Sequence, residues 1–133
     1  MRSKLVSYGN SVAACGVMLM LCVPAAYAHH SFAMFDQTKK VSVSGTITEF
    51  HWTNPHASFK LNVVESTGAL QVWAVEMNGP NNLIREGWKR TTLKPGDKVT
   101  VTVVPLRDGQ PGGSYLGIIL ADGKALGKPA TPH

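Results

Sequence analysis

VSVSGTITEF, residues 41–50, is the stretch of the sequence that decides the fold. Small or apolar residues occupy every second position from 41 to 47, with serine and threonine between them, and this alternation predicts a half-buried strand. The apolar positions then shift by one residue to Phe50 and Trp52, which swaps the two faces of a strand unless a bulge or bend absorbs the shift. Because Gly45 also interrupts the strand, we expect it to be strongly coiled.

Four more strand patterns follow along the chain. They alternate apolar and polar residues or are apolar on both faces, and they cover residues 59–63, 70–77, 99–103 and 115–120. The stretch 70–77 is apolar on both faces, so we expect protein to cover both of its sides. Three loop signals separate the strands: HWTNPH at 51–56, KPGD at 94–97 and RDGQPGGS at 107–114. The KPGD sequence favours a type II turn, and RDGQPGGS predicts a Gly-rich hairpin loop.

One short helix is predicted by NGPNNLIREGW, residues 78–88. Pro80 suits the first helical position, and Gly87 suits the left-handed residue just past the end of a helix. Trp88 would then fold back onto Leu83, which is the apolar contact that commonly closes such an ending. Because an isolated helix this short is not stable in water, packing against the rest of the chain must hold it.

The order of these elements predicts the fold class. Three strands, a short helix and two strands, with a glycine in a long first strand, are typical of an all-β fold with one short helix, a five-stranded OB-fold-like Greek-key barrel. We place this barrel domain at residues 41–123, with a sandwich of the same strands as the main alternative. Residues 29–40 then form an irregular lead-in, and residues 124–133 form a flexible, frayed tail.

The first 28 residues have the pattern of an export signal. Basic residues near the start precede an apolar run over 12–23 and the exit sequence Ala26-Tyr27-Ala28, so we expect cleavage after Ala28 and a periplasmic location. An apolar run of about 18 Å is too short to cross a hydrocarbon core of about 30 Å. We therefore expect no membrane association once the signal is removed.

Composition narrows the function classes further. Both cysteines of the chain, Cys15 and Cys22, fall in the segment that we expect to be removed, so no disulfide is predicted in the mature protein. Loss of Arg2 and Lys4 leaves 11 basic and 8 acidic side chains, and the net charge falls from +5 to +3. The basic residues are scattered along the chain, which argues against nucleic-acid binding. Signatures of nucleophilic catalysis and of phosphate binding are missing, so we predict binding rather than catalysis.

The chain resembles a family of small exported bacterial domains to which no activity is assigned. The resemblance spans nearly all of residues 29–123. It rests on HHSF at 29–32, Gly45-Thr46, WTNPH at 52–56, REGW at 85–88, LKPGD at 93–97 and ADG at 121–123. Because the family label implies no chemistry, a function has to be inferred from the residues themselves.

Cleavage after Ala28 changes the chemistry of His29. It frees an α-amine with a reference pKa of about 7.7–8.0 beside an imidazole with a pKa of about 6.5. The amine and the ring Nδ1 can then bind one metal ion together, and an imidazole of another histidine would complete a T-shaped histidine brace. Nitrogen ligands favour copper over the other divalent first-row metals, so we predict a Cu(II) site with zinc as the second choice.

Three other histidines, His30, His51 and His56, are the candidates to complete that site. The first strand carries the chain about 30 Å, and the lead-in spans at most about 40 Å. The ligands therefore converge only if the lead-in doubles back along the barrel, held there by Phe32 and Phe35. The alternative is that His29 and His30 are solvated, while the other two bind the backbone of their own loop.

A rival hypothesis uses the aromatic side chains instead of a metal. OB-folds commonly bind ligands on one barrel face and its adjoining loops. Trp52 and Asn54 in the first loop, together with Arg85 at the end of the helix, would then hold a small ligand or an exported partner protein. Burial in the core remains the alternative for the tryptophans, because a small barrel has much apolar area to hide.

Overall fold

The computed structural model describes residues 32–130 and shows a mostly β domain with a short helix between its third and fourth strands. His29 and His30 lie outside these residues, as does the predicted export signal. The elements are β1 (Val41–His51), β2 (Ser58–Val64), β3 (Leu70–Glu76), α1 (Pro80–Arg85), β4 (Lys98–Pro105), β5 (Gly112–Ile119) and β6 (Ala125–Gly127). Across residues 32–130, no helix is long and apolar enough to cross a membrane.

The strands close into a barrel. Their order in the sheet is β3-β2-β1-β4-β5-β6, and a parallel pairing between β3 and β5 joins the two sides. The first five strands therefore form a closed barrel in which β1 lies between β2 and β4, and β6 is an extra strand beside β5. This connectivity confirms the prediction of a five-stranded OB-fold-like barrel.

The strand β1 serves two neighbours because it bends. Its first half pairs with β4 and its second half pairs with β2, and the register against β2 shifts between Ile47 and Glu49. This shift is the bulge that the change in apolar parity predicted. At Gly45 the two strands come so close that a Cβ atom would lie 2.4 Å from the backbone oxygen of Asn62. Only glycine fits there without moving the backbone.

The end of α1 has the predicted geometry. Gly87 has a φ of 92°, its N–H donates to the oxygen of Ile84 at 3.1 Å, and the N–H of Trp88 donates to the oxygen of Leu83 at 2.9 Å. These two hydrogen bonds form a Schellman motif. They turn Trp88 back over the helix, and both Trp88 and Leu83 are buried in the core.

The turn at 94–97 also agrees with a type II turn, since Gly96 has a φ of 94° and Asp97 N–H donates to Lys94 oxygen.

The prediction that β3 is covered on both sides is wrong. Leu70 is 61% exposed and Val72 is 52% exposed, whereas Val75 on the opposite face is buried in the barrel. The pairing of β2 with β3 sets their side chains on an outer face, and within residues 32–130 no further layer packs over it. An apolar sequence therefore did not mean a strand buried on both faces.

The predicted hairpin loop at 107–114 is too long. The strand β5 begins at Gly112, and Gly112 and Gly113 pair with Ala74 and Val75 of β3. A Cβ at Gly112 would lie 2.5 Å from the oxygen of Ala74, and a Cβ at Gly113 would lie 2.3 Å from the oxygen of Val104. The two glycines thus allow the close backbone approach that closes the barrel.

The predicted tail also contains regular structure. Ala125–Gly127 form β6 against β5, and Leu126 is buried. Beyond the strand, the N–H of Lys128 donates to the oxygen of Leu116 at 2.8 Å. Residues 124–130 are therefore part of the fold, and the sequence boundary at 123 lies too early.

Candidate metal site beside the lead-in

His51 and His56 lie at the same end of the barrel. Strand pairing sets His51 opposite Ser58, and Ser58 opposite Glu76, so that these three residues form a row across β1, β2 and β3. His56 precedes Ser58 by two residues. Both histidines line one groove, with a volume of about 430 Å³, which we call the histidine groove. His51 is the last residue of β1, although the sequence placed it in the loop at 51–56, and His56 lies in the loop before β2.

The ring of His56 is oriented by a backbone carbonyl. Its Nδ1 lies 2.9 Å from the oxygen of Met77, and the carboxylate of Glu76 lies 3.8 Å from the same nitrogen. Because a carbonyl oxygen only accepts hydrogen bonds, Nδ1 carries the proton and Nε2 of the neutral ring keeps a free lone pair. Metal-binding histidines commonly have this arrangement, with one ring nitrogen donating to an oxygen and the other on the metal.

His51 is held by a carboxylate. Its Nε2 lies 2.9 Å from Glu49, and Lys60 lies 3.3 Å from the same carboxylate oxygen. The hydrogen bond from His51, followed by the contacts from Lys60, lowers the pKa of the Glu49 carboxyl below its usual value. A charged carboxylate accepts the proton of Nε2, so that Nδ1 of the neutral His51 ring is its free nitrogen.

The lead-in is fixed against the same end of the barrel. Phe35 is buried and forms a β-bridge with Leu106, and the N–H of Asp36 donates to the oxygen of Pro105 at 2.8 Å. Arg107 also binds the backbone of the lead-in: its backbone N–H donates to the oxygen of Met34, and its Nε donates to the oxygen of Phe35. Phe35 is therefore the predicted anchor.

Phe32 does not anchor the lead-in by burial, because it is 68% exposed. It nevertheless lines a second cavity, of about 220 Å³, together with Phe35, His56 and Glu76. Met34 and Phe35 line the histidine groove on the other side. The described part of the lead-in thus runs beside His56, which is the path that a metal site shared with the N-terminus requires.

The described residues do not form a complete metal site by themselves. Between residues 32 and 130, no three histidine, aspartate, glutamate or cysteine side chains are gathered closely enough to hold a metal ion. The predicted ligands His29 and His30 lie outside this range. Sequence reasoning missed Met34, since its place in the lining of the histidine groove depends on the position of the lead-in.

Of the three residues predicted to bind a small ligand, Trp52 lines a groove that Asn54 and Arg85 do not line. Trp52 packs edge-on against Phe50, with ring centroids 5.8 Å apart, and lines a groove of about 390 Å³ beside Trp88 and Ile84. Arg85 does not line this groove. The cationic side chains that line it are those of Lys89 and Arg90.

Asn54 lies near the start of α1, where its Oδ1 would be 3.8 Å from a Cβ at Gly79. The other two tryptophans are at least partly buried: Trp88 belongs to the core, and Trp73 packs against it. Trp52 is thus the one of the three predicted ligand-binding residues that lines this groove.

Comparison with known proteins gives a family without an assigned function. No curated protein and no solved structure matches the chain. Residues 17–115 match the family of unknown function DUF6152. The match includes the groove histidines and most of the barrel, and the ADG sequence at 121–123 lies outside it. Since the match covers most of the chain, the protein belongs to the DUF6152 family of unknown function.

Proposed function

We propose that the protein is a periplasmic copper-binding module, exported and processed after Ala28, that holds Cu(II) with its new N-terminal histidine and His56. The amine and Nδ1 of His29 supply two nitrogen ligands, and Nε2 of His56 supplies the third. The observation that carries this proposal is the orientation of His56, whose Nδ1 donates to Met77 oxygen and leaves Nε2 for a metal ion, in a residue that lines one cavity with Phe32 and Phe35 of the lead-in.

Chain length supports the convergence of these ligands. His29 precedes Phe32 by three residues, so its Cα lies at most about 11 Å from that of Phe32. Phe32 itself lines the cavity that His56 lines. The span of three residues therefore allows the amine to come within bonding distance of a metal ion on His56.

Copper is the metal that this donor set favours. Three nitrogen ligands bind first-row divalent metals in an order that peaks at Cu(II). The oxygen ligands that Ca²⁺ and Mg²⁺ need are poorly represented, because Glu49 already accepts from His51 and Lys60. Glu76 lies on the Nδ1 side of His56 and there supports the ring rather than the metal.

His51 and His30 are the remaining predicted ligands, and we give them supporting roles. His51 lies at most about 12 Å from His56 between Cα atoms, because Ser58 is about 5 Å from the first and at most about 7 Å from the second. His51 lines the same groove beside the proposed site and is not one of its three ligands. His30 directly follows the proposed ligand His29, and in this proposal its side chain does not bind the metal ion.

Copper titration of four purified proteins tests the proposal. The mature protein beginning at His29 should bind Cu(II) tightly, and the same protein with one extra N-terminal Ala, or with His56→Gln, should bind at least about tenfold more weakly. His30→Gln is the matched control and should bind like the mature protein. Equal Cu(II) affinity with and without the extra Ala would show that the amine is not a ligand and would overturn the proposal.

A second candidate is a metal-free accessory domain that holds a small ligand or an exported partner protein. One observation favours it: Trp52 lines a groove with the exposed side chain of Ile84 and the cations of Lys89 and Arg90. Such a groove suits an amphipathic anion with an aromatic ring. Quenching of Trp52 fluorescence by aromatic carboxylates, lost in Trp52→Phe and kept in Trp73→Phe, would support this candidate.

A further inference from the structure

Asn78-Gly79 is the one Asn-Gly sequence in the chain. Asparagine is a labile residue, and it is most labile before glycine, because glycine has no side chain to shield its backbone nitrogen. In the structure, Asn78 is exposed and lies at the junction between β3 and α1. The pair therefore combines the residue types and the solvent access that deamidation needs.

Both reacting groups of this pair lack hydrogen bonds to the other described residues. Within residues 32–130, the side-chain amide of Asn78 has no bonding partner, and the backbone N–H of Gly79 donates to no acceptor. The carbonyl oxygen of Asn78 accepts from the N–H of Ala57 at 3.1 Å, but this atom is not one of those that react.

Two Asp-Gly pairs, Asp108-Gly109 and Asp122-Gly123, provide a comparison, since an aspartate can react with the next backbone nitrogen in the same way. In both pairs, the glycine N–H donates to the carbonyl oxygen three residues earlier, and the aspartate side chain accepts from the N–H two residues later, at distances of 2.9–3.4 Å. These turns hold both reacting groups. The fold thus restrains the two aspartates and leaves the reacting groups of Asn78-Gly79 unrestrained.

We propose that Asn78-Gly79 is a site of spontaneous deamidation. The backbone nitrogen of Gly79 forms a bond to the side-chain carbonyl carbon of Asn78, the bond from that carbon to the amide nitrogen breaks, and ammonia leaves with the proton of the Gly79 N–H. Water then opens the succinimide ring at either carbonyl and yields aspartate or isoaspartate. No metal ion and no atom of His29 takes part, so this proposal is independent of the proposed Cu(II) function.

The isoaspartate product alters a closely packed part of the backbone. The N–H of Met77 donates to the oxygen of Ala57 at 2.9 Å, and the N–H of Ala57 donates to the oxygen of Asn78 at 3.1 Å. A Cβ at Gly79 would lie 2.7 Å from the oxygen of Pro55. Isoaspartate lengthens the main chain by a methylene group and turns the carbonyl that accepts from Ala57 into a free carboxylate. We therefore expect the pairing with Ala57 to loosen.

Ageing of the mature protein at mildly alkaline pH, followed by peptide mass spectrometry, tests the proposal. The tryptic peptide 61–85 contains Asn78 and the comparison asparagines Asn62, Asn81 and Asn82. We expect conversion of amide to acid at Asn78 well ahead of the other three, and loss of this conversion in Asn78→Gln, whose longer side chain closes a ring more slowly. No conversion at Asn78, or equal conversion at all four asparagines, would overturn the proposal.

Ageing in guanidinium chloride separates the effect of the fold from that of the sequence. For each site, the isoaspartate formed in the folded protein is divided by that formed in the unfolded protein. This ratio should be higher at Asn78 than at Asp108 and Asp122, because unfolding frees only the two aspartates from hydrogen bonds. A ratio at Asn78 no higher than at the aspartates would overturn the structural basis of the proposal.

Hydrogen exchange tests the effect on the backbone. The amide of Ala57 should exchange faster in the aged protein than in the fresh one, because its acceptor is altered. Asn78→Gln aged in the same way is the control and should keep the exchange rate of its fresh sample. Unchanged exchange at Ala57 after conversion of Asn78 to isoaspartate would contradict the predicted loosening.

Discussion

The indole of Trp88 shows how one buried polar atom constrains the core. Trp88 is 1% exposed, and its Nε1 donates to the hydroxyl oxygen of Tyr115 at 3.2 Å. The two rings meet edge to face with centroids 5.4 Å apart. Burial of an indole is favourable only while its N–H has a hydrogen-bond partner. The buried position of Trp88 therefore depends on the hydroxyl of Tyr115.

Removal of that hydroxyl should destabilise the protein. Tyr115→Phe keeps the ring but leaves the Trp88 N–H without its acceptor, so we expect the free energy of unfolding to fall by about 1–3 kcal/mol in urea denaturation. Thr67→Val removes a hydroxyl that bonds at the surface and should change the stability by less than about 0.5 kcal/mol. Equal stability of Tyr115→Phe and the unchanged protein would show that another acceptor reaches Trp88.

The same hydroxyl predicts a loss of stability in alkali. Burial raises the pKa of Tyr115 well above its ordinary value of 10.0, and the hydrogen bond from Trp88 offsets only part of this shift. Because the folded pKa exceeds the unfolded one, the neutral hydroxyl stabilises the fold fully below about pH 10 and less as the pH rises above it.

Residues 29–133 contain a single tyrosine, Tyr115, so its ionisation can be read directly from the tyrosinate absorbance. We expect little absorbance change in the folded protein near pH 10, and a change that coincides with unfolding at higher pH. The alkaline decrease in unfolding free energy should be smaller in Tyr115→Phe. A normal titration near pH 10 in the folded state would contradict the prediction.

At the scale of elements, β1 is the strand on which the barrel depends. It pairs with β4 and β2 in succession, and the bulge between Ile47 and Glu49 lets it change direction. The alternation of its residues and the shift of that alternation were enough to predict both features, because they depend on the strand alone. The close approach at Gly45 also left a signal, a glycine inside a strand pattern.

A methyl group at Gly45 should separate β1 from β2. The added Cβ would lie 2.4 Å from the backbone oxygen of Asn62, so one of the two strands must move. We expect Gly45→Ala to lower the free energy of unfolding by about 1–3 kcal/mol, as overpacking typically does. Ser44→Ala, at the exposed neighbour, should cost far less. A Gly45→Ala protein as stable as Ser44→Ala would mean that the strands adjust without strain.

For the whole molecule, the features that sequence reasoning missed are those set by pairing between distant segments. The glycines at 112 and 113 resemble a loop until β3 lies beside them, and the apolar residues of β3 resemble a buried strand until its outer face is found uncovered. The candidate metal site likewise contains residues that the sequence predicted and one that it did not. His51 and His56 were predicted because one loop carries both, whereas Met34 reaches the groove only through contacts of the lead-in with Leu106 and Arg107.

The strand β6 gives the test at this scale, because it connects the end of the chain to α1. Leu126 is 6% exposed, and a Cβ at Gly87 would lie 3.4 Å from its Cδ2 atom, so the side chain packs against the end of the helix. We expect Leu126→Ala to lower the free energy of unfolding by about 2–5 kcal/mol, as a cavity in the core does. Leu126→Met, which conserves the volume, should cost less than about 1.5 kcal/mol. If Leu126→Ala unfolds at the same urea concentration as the unchanged protein, residues 125–127 behave as the tail that the sequence indicated, and the barrel is stable without them.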